Sequence, residues 1–430
     1  MGKQVLITTF GSLGDLHPYL ALAIGLKARG HAPVIATSEL YREVIEQDGI
    51  GFHPVRPDID PNDRELIKKA LHPRLGPEFL IREVLLPHLR DSYQDLASAV
   101  DAADLLITHP ITFAGPLAAQ VSKTPWVSTV LAPLSLFSAY DLPVFPNFPF
   151  LKKLDQFGPW MGRLLLRFAK TVTRKWSEPI WRLRAELSLP PTGDPLYEGQ
   201  FSPHMVLGLF SPLLAKPAPD WPQNTRLTGF LFYDQPDHLL TDSKPEELEP
   251  DCRLTDFLRS GPPPAVFTLG SSAAMAAGDF YKISVEAVRV LGIRAVLVGK
   301  DQSVMPGEKL SDEIAVFEYI PYRKIFPASA MIVHQGGIGT TAQALRSGKP
   351  MLVVPFAFDQ PDNAYRVERL GLARTLYRHK YSVDRLVREL TVLLKDPGYS
   401  KRSEEAGRII RAEDGVAAAC EAIEKVLRNS

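Results

Sequence analysis

Cysteine is scarce in this chain. Two occur in 430 residues, Cys252 and Cys420, too few for a disulfide framework, and a reducing cytoplasm is the expected setting. Net charge is also missing: 49 basic residues balance 49 acidic ones, which argues against nucleic acid as the main partner. No uninterrupted apolar run is long enough to span a bilayer. The N-terminus, MGKQVLITTF, goes straight into a strand without the apolar core and small-residue cleavage site of a signal peptide. What remains is ordinary globular composition, 45% hydrophobic and 23% charged, with length for two or three domains.

What is present is alternation. Lys3 to Phe10 reads as a buried strand, Gly11-Ser12-Leu13-Gly14-Asp15 as a turn, Pro18 to Arg29 as an amphipathic helix, and Ala32 to Thr37 as the next strand. That order begins a doubly wound α/β domain, whose ligands gather at the C-terminal ends of its strands. It continues through Leu105–Thr108 and Trp126–Val130. Ser211 to Pro222, with four prolines, is the linker candidate. A second alternation follows: strand Ala265–Leu269, turn Gly270-Ser271-Ser272, helix Phe280–Val290, strand Arg294–Val298. The expectation is an α/β protein of two doubly wound domains with a cleft between them.

The most informative stretch is HQGGIGTTAQALRSGKPMLVVPFAFDQ, His334 to Gln360. An apolar strand, Ala330 to Val333, leads into a histidine and the glycines Gly336, Gly337 and Gly339, then into helix-forming sequence. Glycines let the backbone approach a ligand closely. The free N–H groups of a first helical turn, at the positive end of the helix dipole, attract phosphate. Thr340, Thr341 and the His334 ring add donors. After the next strand come Asp359 and Gln360, a carboxylate and an amide suited to sugar hydroxyls. Phosphate donors followed by a diol reader suggest a nucleotide-sugar site; an ordinary strand–helix–strand unit is the alternative.

This segment resembles the donor signature of the inverting glycosyltransferases of family 1, HxGGxGTT…ALxxGxPxLxxPxxxDQ, in the branch that glycosylates sterols, macrolides and glycopeptide aglycones. The likeness extends to Gly14-Asp15-Leu16-His17-Pro18 and to LAPLSLFSAYDLPVFP, Arg182 to Pro191, Thr228-Gly229-Phe230, Leu269-Gly270-Ser271 and Tyr319-Ile320-Pro321. It implies the GT-B architecture: an acceptor-binding domain over 1–215, a donor-binding domain over 224–400, and a last helix, about 404–427, crossing back onto the first domain. It implies that Asp15 is the base, in the GDxxP form of the turn, although that residue could simply cap the next helix. His17, where Gln is commoner, could share the proton or touch a phosphate. Donor contacts fall on Ser12, Ser271, Ile320, His334, the three glycines, Thr340, Thr341, Asp359 and Gln360, with no metal and no further cofactor. Acceptor contacts fall on His109, Phe113, Phe137 and Phe145. UDP-glucose is the leading donor and a TDP- or UDP-linked rhamnose the rival. Ala342 stands where plant members carry a ribose-binding glutamate, and Arg323 where related bacterial sequences often have histidine, so the nucleotide is open. A protein that kept the fold and lost catalysis is the competing class.

Two features lie outside that pattern. Asp58-Ile59-Asp60 imitates a metal-binding DxD but sits in a polar, proline-flanked loop. Between Lys152 and Arg184, nine Lys/Arg stand against Asp155 and Glu178, and Trp160, Trp176 and Trp181 are interleaved. Such a stretch either lies on an anionic membrane, making the protein peripheral to the inner membrane face, or forms the mobile helical wall of an acceptor pocket with a solvated outer face. The balanced overall charge favours the wall.

Overall fold

Parallel pairing builds two sheets in the computed structural model, which describes residues 2–60, 63–145, 148–234, 250–273, 276–299 and 311–429. The first sheet has seven strands in the order β3-β2-β1-β4-β5-β6-β7. They are β1 (Gln4–Thr8), β2 (Ala32–Thr37), β3 (Gly51–Pro54), β4 (Leu105–Thr108), β5 (Trp126–Val130), β6 (Met205–Gly208) and β7 (Thr225–Leu227). The second has six, in the order β10-β9-β8-β11-β12-β13. They are β8 (Ala265–Thr268), β9 (Ala295–Val298), β10 (Ile314–Phe317), β11 (Met331–His334), β12 (Met351–Val353) and β13 (Ala373–Thr375). Central strands such as β4 (LLIT) and β8 (AVFT) are buried at every position. Continuous apolar runs are what a parallel sheet covered on both faces requires.

In each sheet the strand order reverses once, between β1 and β4 and between β8 and β11. Chains leaving adjacent strands there diverge and open a crevice at the C-terminal edge. Asp15 and His109 follow β1 and β4, whereas Gly270 and the His334 turn follow β8 and β11. The doubly wound α/β class read from the sequence is therefore the observed one.

The chain divides into one unit of Met1–Asp63, Arg74–Tyr233 and Glu413–Ser430, and another of Arg64–Pro73 and Asp234–Ala412. Three boundaries differ from those drawn from the sequence. The proline-rich 211–222 segment is not a free linker. Ser211, Leu214, Ala215 and Trp221 are buried, Ser211 Oγ donates to Glu413 Oε1 at 2.6 Å, and the chain continues into β7 of the first sheet. Residues 64–73 belong with the second unit because Leu71 is buried in its apolar core, with Ile67 packed alongside. The single helix expected at 404–427 is two, Pro397–Ala412 in the second unit and Gly415–Asn429 in the first. At the break, a Cβ on Gly415 would lie 2.3 Å from the Phe230 carbonyl oxygen. The last helix packs on Leu13–Ala28, where a Cβ on Gly25 would sit 2.4 Å from Val416 Cγ1. Among the described residues no helix is long and apolar enough to cross a membrane.

Candidate active site

In the first unit, the helix after β1 starts earlier than its hydrophobic pattern suggests, spanning Leu13–Ala28 with Pro18 inside it. Ser12 is its N-cap and Asp15 its third residue, joined in a capping box. The Ser12 N–H donates to Asp15 Oδ2 at 2.8 Å and the Ser12 hydroxyl to the same oxygen at 3.2 Å, while Gly14 N–H donates to Ser12 Oγ. The capping role is thus real, but it uses one carboxylate oxygen. The other, Oδ1, lies 3.7 Å from His109 Nε2, ion-pair range rather than a hydrogen bond. Gly11 leaves room for the carboxylate: a Cβ there would stand 2.3 Å from Asp15 Oδ2.

The His109 tautomer follows from its neighbours. Ile111 N–H donates to Nδ1 at 3.4 Å, so Nδ1 acts as the acceptor and the N–H of the ring is on Nε2, facing Asp15. The ring is buried and meets the edge of Tyr19 with centroids 5.9 Å apart. Thr129 Oγ1 donates to the Thr108 carbonyl at 2.8 Å, so Tyr19 donates to Thr129 across their 2.6 Å contact. Tyr41 donates to the Gly11 carbonyl at 2.8 Å, and burial, with a smaller effect of the Asp15 charge, raises its pKa to about 12. The result is a carboxylate one-third exposed, held by two donors and backed by the buried His109 ring. The sequence reading had His109 against the acceptor and did not pair it with Asp15. The available signal was that both residues end strands; only the strand order makes those strands neighbours.

The other expected residues of this half disperse. The His17 ring stacks on Tyr233, centroids 5.1 Å apart, and burial lowers its pKa to about 4. Asp15 takes its hydrogen bonds from Ser12, not from His17. Phe113 is buried beside His109 at a small cavity also lined by Ile180, Arg184 and Gln200. Phe137 is half-buried with its ring centroid 4.7 Å from that of Tyr197, and Phe145 is half-buried. Asp58, from the DxD imitation, accepts from Ser38 Oγ and Glu39 N at 2.8 Å each and so caps a helical turn.

In the second unit, β11 ends at His334, fully buried. Gly336 N–H donates to its Nδ1 at 3.1 Å, which puts the ring proton on Nε2. That N–H is enclosed and has no partner among the described residues, and burial lowers the ring pKa to about 3. Gly336 has φ +89°, and a Cβ there would meet Val353 Cγ1 at 2.7 Å; this turn needs glycine for both reasons. Gly337 caps the helix Ile338–Ser347 with no side-chain acceptor, so the first N–H groups lack the oxygen that usually satisfies them. At Gly339 an added Cβ would meet nothing within 4 Å. Thr340 and Thr341 are buried; the Thr341 hydroxyl has no partner among the described residues, and Thr340 Oγ1 accepts from Gln335 at 3.4 Å. Ser271 lies in the short helix Gly270–Ala273, its side chain outside what the structure describes. Ile320 is buried just after β10.

Asp359 and Gln360 open the helix Gln360–Arg369 after Phe358, a non-glycine residue at φ +54°. Gln360 Oε1 accepts from Phe356 N at 2.8 Å and Ala357 N at 3.1 Å, so its carbonyl holds the loop. Asn363, which the sequence reading missed, donates to Asp359 Oδ2 at 2.7 Å and to the Gly336 carbonyl at 2.9 Å. It ties the carboxylate to the glycine turn. Its position, one helical turn after Asp359, was the available signal.

The chain and its fold also match known proteins. Residues 292–421 match the family model for the erythromycin biosynthesis protein CIII-like C-terminal domain, and residues 5–88 the glycosyltransferase family 28 N-terminal domain. The chain is 30% identical over 435 residues to O-mycaminosyltylonolide 6-deoxyallosyltransferase of Streptomyces fradiae, covering 98% of this chain and 97% of that protein. It is 29% identical over 437 residues to a sterol 3-beta-glucosyltransferase of Emericella nidulans, covering 98% of this chain but 30% of the fungal protein. Glycosyltransferase VinC, solved in complex with DTDP, superposes with a TM-score of 0.68 at 21% identity over 99% of this chain and all of that one. With two such α/β halves and a relative matched along nearly its whole length, the chain belongs to the family 1 glycosyltransferases of GT-B fold.

Proposed function

We propose that the protein is an inverting glycosyltransferase that moves glucose from UDP-glucose to a hydroxyl of a lipophilic acceptor, a sterol, polyketide or flavonoid-like phenol. The observation that carries this reading is the buried, unpartnered His334 Nε2–H beside a helix with no side-chain N-cap. These donors suit a diphosphate, and the helix dipole adds to them. The leaving diphosphate is assigned to N–H and hydroxyl donors rather than to a metal. In the reaction, Asp15 Oδ1 accepts the acceptor's hydroxyl proton and the freed oxygen attacks the anomeric carbon. The bond from that carbon to the diphosphate breaks, and UDP leaves with the electron pair. His109 presents Nε2 toward Asp15 at 3.7 Å and orients the carboxylate. Phe113, Phe137 and Phe145 are assigned to the acceptor side.

A deoxysugar donor, TDP- or UDP-linked, is the second reading. It is favoured by the Gln360 carbonyl being engaged with backbone N–H groups, which leaves one acceptor fewer for sugar hydroxyls. Thermal shift with UDP, TDP, UDP-glucose and TDP-rhamnose separates the two, since a ligand at a hundred times its Kd adds about 2.7 kcal/mol of stability. Asp15→Asn then tests catalysis: turnover falls roughly 10²- to 10⁴-fold while nucleotide affinity stays. Equal loss of both makes Asp15 structural, and turnover retained in the variant removes it as the base.

A further inference from the structure

We propose that the helix Pro159–Thr173 docks the protein on an anionic lipid surface. Its outer face carries Trp160, Leu164, Phe168 and Val172, which are 58%, 54%, 68% and 57% exposed. A spacing of four advances about 40° around a helix, so the four residues form one apolar band spanning about 120°. Arg163 and Arg167 on the helix, and Arg174 just after it, fall along one edge of that band and are exposed. The inner face is fixed: Gly162 and Leu166 are buried, and a Cβ on Gly162 would lie 2.2 Å from the Ala139 carbonyl oxygen. The band therefore stays turned outward. Phe148, Phe150 and Phe157, on the preceding segment that packs against this helix, are each at least half exposed.

Charge selects the occupant. From Gln156 to Ser177 the sequence has five basic residues and no acidic one. Lys170 is paired with Glu198 at 2.6 Å, whereas Arg163 donates to the Tyr140 hydroxyl at 3.0 Å and lies over that ring rather than on a carboxylate. An apolar band with a cationic edge matches the boundary between acyl chains and anionic headgroups. Exposed apolar surface of this continuity marks an interaction site, whereas the solvated outer face of a pocket wall would be polar.

The test is co-sedimentation of the full chain with vesicles of phosphatidylcholine alone and with a third phosphatidylglycerol, at low and high salt. The expected result is binding to the anionic vesicles, weakened by salt, and at least about tenfold weaker partitioning for Phe168→Glu. Val290→Glu, at another exposed apolar position of the chain, leaves binding unchanged and controls for general loss of hydrophobicity. No binding to anionic vesicles at low salt overturns the proposal, as does equal binding by Phe168→Glu. A dimer in size exclusion that Phe168→Glu dissociates gives the band to a second copy and likewise overturns it.

Discussion

His334→Asn isolates the donor on which the nucleotide-sugar reading rests. Asn keeps an acceptor near the position of Nδ1, where Gly336 N–H now donates at 3.1 Å, and removes the outer half of the ring with Nε2. Without ligand, the wild-type Nε2–H is an enclosed donor with no partner among the described residues, a state that costs about 1–3 kcal/mol. Deleting it offsets the small void the truncation leaves, so the unliganded variant melts within a few degrees of wild type. With ligand the balance reverses. A hydrogen bond to a charged group contributes about 1.5–3 kcal/mol, so UDP affinity falls roughly ten- to a hundredfold. Isothermal titration calorimetry with UDP, beside thermal melts of both proteins, reads the two effects separately. Affinity preserved within about twofold would refute the assignment of Nε2 to the diphosphate, and a large loss of unliganded stability would make His334 a structural residue.

Gly339→Ala tests the same surface from the backbone side. An added Cβ there meets nothing within 4 Å, and alanine is better in a helix by up to about 1 kcal/mol, so the variant is as stable as wild type or more so while binding UDP more weakly in a calorimetric titration; unchanged affinity would detach that face from the ligand. Stability also depends on pH through two histidines. His17 and His334 titrate at about 4 and about 3 in the folded protein, both below the unfolded value, so the unfolded chain takes up protons first. Stability is then full above about pH 6.5 and declines as pH falls toward 4, by up to about 1.4 kcal/mol per pH unit for each histidine; urea midpoints at pH 7.5 and 5 measure this, and a flat profile contradicts it. Asp362→Ala removes the carboxylate 2.6 Å from Arg366 in a pair that is almost fully buried, and destabilises by about 3–5 kcal/mol, read as a lower denaturant midpoint.

How far the sequence was legible depended on whether the signal was local. The doubly wound class followed from glycine turns between apolar strands, and the His334 turn from its histidine and glycines, because those features are local. The Asp15–His109 approach is not local: 94 positions separate the residues, and they meet because β1 pairs with β4. The proline-rich 211–222 run misled for the opposite reason. Proline marks irregular backbone but not exposure, and this irregular segment is buried at Leu214 and Trp221. Asp359 and Gln360 read as an equal pair, yet their side chains diverge once Phe356 and Ala357 turn their N–H groups toward Gln360.

Burial of His334 also bears on how such a site could turn over. A protonated imidazole would attract the diphosphate more strongly after the glycosidic bond breaks, when its charge is highest, and would retain the product as well as the transition state. Burial keeps the ring neutral, with a pKa near 3, and Gly336 fixes which nitrogen donates. The remaining N–H is a dipole of fixed direction. In the proposed reaction such a dipole would stabilise developing charge without carrying an ion's affinity for the product, and interactions that favour the transition state over ground states are the ones that accelerate the step. Ile111 plays the corresponding part at His109, donating to Nδ1 and leaving Nε2 to face Asp15. If so, the pH–rate profile should carry no inflection from His334 near neutrality. An inflection that His334→Asn removes would mean that the ring is charged during turnover.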